Sequence, residues 1–134
     1  MKVYEWIDDD GKGEISAWPK LQTIQWAKLD GKIDKLVIAE VDPKTRKTTL
    51  PQTLLAGPNY EGYQHLYKLK GQGNVALRPL VCLGPFGLDE WTILIRATER
   101  DNKMLPADAA ARAEARRQIL WLNRFRRKLL RDDK

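Results

Sequence analysis

Hydrophobic and polar positions alternate most clearly between residues 65 and 106. Three strand-like runs stand there, at about 65–69, 75–83 and 91–98. They are separated by Gly71-Gln72-Gly73-Asn74 and by Gly84-Pro85-Phe86-Gly87-Leu88-Asp89-Glu90. Strand runs broken by turn-rich loops predict an antiparallel meander. In the first run Leu66 and Lys68 share one face, while His65, Tyr67 and Leu69 share the other. In the second, Ala76, Arg78 and Leu80 oppose Leu77, Pro79 and Val81. Pro79 cannot donate to a ladder, so pairing should lapse or bulge there. The third run is apolar almost throughout from Trp91 to Ile95, as a central strand covered on both faces would be.

Upstream, residues 3–7 read as a first strand, ended by the turn Asp8-Asp9-Asp10-Gly11-Lys12-Gly13. That acidic turn lacks the alternating ligands and distant glutamate of a calcium loop. Trp18, Leu21, Ile24 (or Gln25) and Leu29 recur at helical spacing, with Ser16 as a cap and Pro19 in the first turn. Asp30-Gly31 then interrupts the pattern. A second helix over 31–41 would place Ile33, Leu36, Val37 and Val41 on one face. Pro43 forbids its continuation. Residues 42–49 read as a polar loop and 50–58 as a semi-extended link. Pro106 opens a long helix over 107–131. The expected fold class is α+β in one domain spanning 1–134: a small antiparallel sheet, two N-terminal helices on one face and a long basic C-terminal helix.

Charge changes this picture more than composition does. The chain has 134 residues and net charge +6. Residues 107–134 carry nine Lys and Arg against four acids, so nearly all of the excess lies there. Such a segment favours an anionic partner, of which nucleic acid is the commonest. A single cysteine, Cys82, permits no intrachain disulfide and fits a reducing cytosol. Acidic residues follow Met1 too soon for a signal peptide, and no apolar run approaches the ~18 residues of a membrane span. A cytoplasmic protein without membrane contact is expected.

Candidate chemistry is mostly cationic. No P-loop, dinucleotide fingerprint, paired-cysteine zinc spacing or serine elbow is present. One histidine, His65, rules out a two-histidine metal site, and no cofactor or metal is expected. Lys68, Lys70, Arg78, Arg96, Arg100 and Lys103 all lie on or beside the proposed sheet. On one face they would form a strip that positions phosphates and stabilises transition-state charge. Glu99 stands beside it as a candidate general base. Tyr60, Tyr63 and Tyr67 are candidate stacking partners for bases. Taken singly, each has a plainer reading: Glu99 pairs with an arginine, the lysines protect a sheet edge, and the tyrosines pack. The five tryptophans read most simply as core, and Cys82 as inert.

The order Tyr67-Lys68-Leu69-Lys70, Val75-Ala76-Leu77-Arg78, Trp91-Thr92-Ile93-Leu94-Ile95, Glu99-Arg100-Asp101-Asn102-Lys103-Met104-Leu105-Pro106 and an alanine- and arginine-rich helix resembles the RelE/ParE toxin superfamily. The resemblance is greatest to its HigB-like, phage-derived branch. It implies a small twisted antiparallel sheet with two N-terminal helices and a C-terminal helix. It further implies a toxin of a type II toxin–antitoxin pair that cleaves mRNA on the ribosome by metal-independent 2′-hydroxyl attack, neutralised by a small antitoxin, typically a helix-turn-helix protein. By position, Arg78 would hold the scissile phosphate, and Arg100 and Lys103 match the basic residues after the last strand. Glu99-Arg100 stands where two lysines are common. Glu99 becomes the candidate base, Arg100 or Lys103 the charge stabiliser, and His65 a substitute. Lys68, Lys70, Arg96, His65 and Tyr67 would contact RNA. The alternative is a non-catalytic basic phage or accessory protein, or a gyrase-directed ParE-like toxin, on the same fold.

Overall fold

The computed structural model describes residues 1–18, 23–70 and 76–132. The sequence-predicted loop at 71–74 and the positions of Pro19, Leu21 and Val75 lie outside them. Strand β1 (Lys2–Trp6) leads through turns to helix α1 (Thr23–Ile38). Short β2 (Leu55–Ala56) and a 3-10 turn (Tyr60–Gly62) precede β3 (Leu66–Leu69), β4 (Ala76–Leu77), β5 (Leu80–Leu83) and β6 (Glu90–Ile95). A hairpin of β7 (Thr98–Arg100) and β8 (Lys103–Leu105) follows, then helix α2 (Ala109–Leu122), a second 3-10 turn (Arg124–Arg126) and β9 (Arg127–Arg131).

Six strands form one sheet in the order β2-β3-β5-β6-β1-β9, and β4-β7-β8 form a smaller one. The main sheet is mixed, because β1 runs parallel to β6 while its other pairs are antiparallel. All six residues of β6 are buried, as its apolar run predicts for a central strand. Alternation along the strands separates two cores. Tyr67, Leu69, Val81, Trp91 and Ile93 join Leu29, Ile33 and Leu36 of α1 on one side. Leu66, Leu80, Cys82 and Leu94 join Ala109, Ala113 and Leu120 of α2 on the other. The ladder lapses at Pro79 as expected, and the chain swings there from the main sheet to the small one: the Arg78 N–H donates to the Ala97 carbonyl at 2.8 Å, and the Leu69 N–H to the Pro79 carbonyl at 3.0 Å.

The expected antiparallel sheet with two N-terminal helices and a long C-terminal helix is not what forms. One helix, α1, runs unbroken through Asp30-Gly31. Its apolar stripe at Leu29, Ile33 and Leu36 is wholly buried and keeps phase across the glycine. Gly31 has open space around its Cβ position. It costs the helix about 1 kcal/mol relative to alanine, far less than the stripe recovers. Ser16 is not a helix cap. It lies in the turn after β1, where Glu5 Oε1 accepts hydrogen bonds from the Ile15 and Ser16 N–H groups (both 3.0 Å) and the Ser16 hydroxyl (3.1 Å). Gly13 passes so close to Glu5 Oε1 and Ser16 Oγ that no Cβ fits.

The C-terminal helix stops at Leu122, nine residues before the expected end. Asn123 is extended (φ −150°), and its side chain accepts from the Phe125 N–H at 3.1 Å. Residues Arg127–Arg131 then form an antiparallel ladder with β1. That ladder satisfies the backbone along β1. It also brings each arginine to a carboxylate: Arg127 to Glu90, and Arg131 to Asp30 and Asp34 of α1.

Candidate functional site

Lys68, Arg78 and Glu99 come from β3, the β4–β5 junction and β7, and the fold joins them. Lys68 Nζ lies 3.2 Å from Glu99 Oε2, and Arg78 Nε lies 3.4 Å from Glu99 Oε1. All three side chains are less than a quarter exposed. Beside them opens a cleft of about 700 Å³ between the β7–β8 hairpin, the 3-10 turn at 60–62 and the start of α2. Tyr60, Tyr63, Lys68, Glu99, Asn102 and Lys103 line it, as do the carboxylates Glu61 and Asp108. Lys68 Nζ stands 5.1 Å from the Tyr60 ring centroid.

The electrostatics assign protonation states. Burial pushes the Glu99 carboxyl up, but the hydrogen bond and charge of Lys68, with Arg78, outweigh it and hold the group below its ordinary range. Burial, then the charges of Glu61 and Glu99, raise the Tyr60 phenol, so it keeps its proton. Burial and the positive charges of Arg78, Lys28 and Lys35 lower Lys32 of α1. Its ammonium donates to the Lys70 carbonyl. No sequence periodicity marks Lys32; only the packing of α1 brings it to Arg78.

Because Glu99 has a depressed pKa in the folded chain, its pairing stabilises the fold above the usual carboxylate range near pH 4.5. That contribution disappears as pH falls through the lower folded value. Urea titrations from pH 2 to 6 should therefore show a loss of stability on acidification that is smaller in Lys68→Met than in wild type.

The other expected site residues are dispersed. Lys103 lines the cleft, whereas Arg100, its register partner, is exposed at the hairpin end. The side chain of Arg96 turns away to the Ala17 carbonyl at 3.5 Å. Lys70 contributes its carbonyl to Lys32 and is not a cleft residue. Tyr67 is fully buried, edge-on to Trp91 at 5.0 Å, and its hydroxyl donates to the Arg46 carbonyl. Burial raises that phenol to about 12. It is a core residue and offers no face to a base. His65 lines a separate cleft with Arg46, Arg117 and Trp121. Cys82 is buried, and burial raises its thiol to about 12, as an inert cysteine requires.

No family model, curated protein or solved structure matches the chain. Among the described residues no helix is long and apolar enough to cross a membrane. Much of the basic C-terminal charge is paired internally: Arg112 with Asp108, Arg116 with Glu14, Arg117 with Glu114, Arg126 with Asp9, Arg127 with Glu90, and Arg131 with Asp30 and Asp34. The pairs with Glu14, Asp9, Glu90, Asp30 and Asp34 tie the segment to the turns after β1, to the start of β6 and to α1.

Proposed function

We propose that the cleft beside Lys68, Arg78 and Glu99 binds RNA and that the chain is a metal-independent endoribonuclease of the toxin type, acting on ribosome-bound mRNA and held in check by an antitoxin. The observation that carries this reading is the convergence of two cations on one carboxylate, beside a tyrosine-lined cleft large enough for a nucleotide. In the reaction, a ribose 2′-hydroxyl attacks the adjacent phosphorus, the 5′-oxygen leaves, and a 2′,3′-cyclic phosphate remains. Lys68 and Arg78 would hold the phosphate oxygens and the charge that grows on them. An incoming phosphate draws both cations away from Glu99. The carboxylate then regains basicity and can accept the 2′-hydroxyl proton. Neutral Tyr60 would donate to the leaving oxygen, and Lys103 would steady the neighbouring phosphate. The HigB-like resemblance in residue order supports this reading through Arg78 and Lys103.

A second reading has its own support. Glu99 is held ionised by its partners, and Glu61 in the lining offsets the lysines of the cleft. Both favour a protein that binds without cleaving. Tightly induced expression in a bacterial host separates the two, with growth and mRNA 5′ ends followed together. The nuclease reading expects arrest with new 5′ ends, reduced about 100-fold by Arg78→Ala and lowered by Arg100→Ala. Healthy growth with intact mRNA, from well-expressed folded protein, refutes it. A binder would lose only salt-sensitive affinity in the same variants.

A further inference from the structure

The second cleft has a different character. It encloses about 300 Å³ and is walled by Arg46, His65, Phe86, Leu88, Arg117 and Trp121. The Trp121 ring is 54% exposed and meets Phe86 edge-on, with centroids 5.5 Å apart. An exposed indole braced by a second ring is a stacking platform. Arg117 is already neutralised by two-pronged contact with Glu114 (2.7–3.2 Å). Arg46 is not: among the described residues its guanidinium has no ion pair.

The backbone presents Arg46 deliberately. Its φ of +60° is a left-handed conformation that few non-glycine residues adopt. Its N–H donates to the Asp42 carbonyl at 2.7 Å, and its own carbonyl is held by the buried Tyr67 hydroxyl. The residue is thus anchored through the core and lines this cleft, as it also lines a neighbouring one with Lys44 and Asn59. His65, lowered by burial and by Arg117 and Arg46, is a neutral imidazole with one donor and one acceptor for a base edge.

We propose that this cleft is a nucleotide subsite: Trp121, braced by Phe86, whose own ring already carries the Arg124 and Arg127 guanidiniums, stacks a base, His65 reads its edge, and Arg46 takes its phosphate. One groove could serve both clefts. Ala107 and Ala111 of the first, and Arg117 and Trp121 of the second, lie on or just before α2, and Tyr60, Tyr63 and His65 supply the facing segment. From 107 to 121 a helix rises about 20 Å, a span of a few nucleotides of single strand. The subsite rests on the ribonuclease reading only for its occupant, a strand whose reacting phosphate lies in the first cleft.

The test uses 5′-AMP and the full chain labelled with ¹⁵N, following the tryptophan indole signals, with Trp121→Phe to identify that of Trp121. A saturable shift of the Trp121 signal is expected. Arg46→Ala should weaken it about 10-fold, Arg46→Lys should retain most of it, and the weaker response to adenosine should be the same in both variants. The proposal is overturned if the Trp121 signal stays still, if Arg46→Ala binds 5′-AMP as wild type does, or if inorganic phosphate alone gives the same shift. Lys68→Ala lies in the other cleft and should leave the 5′-AMP response intact. A Trp121 response in a chain that leaves mRNA whole would keep the subsite and remove the nuclease. Cleavage that depends on Arg78 without a Trp121 response would do the reverse.

Discussion

Arg127→Ala should destabilise the fold by about 3–5 kcal/mol, the range for removing one partner of a buried charge pair. The Arg127 side chain is only 6% exposed. Its Nη2 bonds to Glu90 Oε2 at 3.1 Å and its Nη1 to the Thr92 hydroxyl at 3.0 Å. The guanidinium also lies 3.8 Å from the Tyr4 ring centroid and 4.8 Å from that of Phe86. Glu90 in turn accepts from the Phe86 N–H at 2.9 Å, so the pair fixes the loop before β6. Removing the arginine strands the Glu90 carboxylate beneath β9. The urea midpoint should fall sharply. The double variant Arg127→Ala/Glu90→Gln should be less destabilised than the sum of the singles, because the stranded charge is gone. Additive losses would mean that the two side chains act independently and would refute this account.

Trp91→Ala should cost a similar amount, about 3–5 kcal/mol, for a different reason. Trp91 is fully buried on the central strand, beside Val3 and Leu83 in the ladders. Its indole N–H donates to the Leu36 carbonyl at 3.1 Å. Leu36 lies in the last turn of α1, where carbonyls lack helical partners. One side chain thus fills the core and ties the helix end to the sheet. Trp91→Phe separates these roles: it keeps most of the volume and loses the hydrogen bond, worth about 1 kcal/mol. Thermal or urea unfolding should rank wild type, Trp91→Phe and Trp91→Ala in that order, with the larger step between the last two. Equal losses in the two variants would refute the packing account.

These two residues also show what the sequence reveals and what it hides. The central strand is legible because Trp91 to Ile95 is apolar without a break. The break at Pro79 is legible because proline lacks a donor. The alternation that sends Leu66 and Tyr67 to opposite cores can be read directly. The continuity of α1 is not, because Asp30-Gly31 looks like a stop and only a buried stripe on both sides overrides it. β9 is hidden more deeply. Leu122, Phe125 and Leu129 stand near helical spacing, yet all three are exposed. What makes Arg127–Arg131 a strand is the placement of Glu90, Asp30 and Asp34, which are distant in sequence. Trp121 deceives in the same way: it reads as core and is more than half exposed. In the candidate site, Lys68, Arg78, Glu99 and Lys103 announce themselves as charges near a sheet. Lys32 and Arg46 do not, since a helix and a loop from elsewhere carry them in.

The ladder between β1 and β9 has a bearing on how the chain is made. Val3 and Arg131 are register partners although 128 positions separate them. During synthesis from the N-terminus, at about 5–20 residues per second, β1 emerges first and has neither neighbour. Its partner β6 comes only after most of the domain, and β9 later still. For that interval the edges of Lys2–Trp6 are open templates for other strands, so a chaperone that covers this segment should raise soluble yield. The same proximity means that a short linker from residue 131 back to residue 3, with new ends opened in the exposed 42–48 loop, should give a circular permutant that keeps the six-stranded sheet and no longer makes its first strand wait for its last.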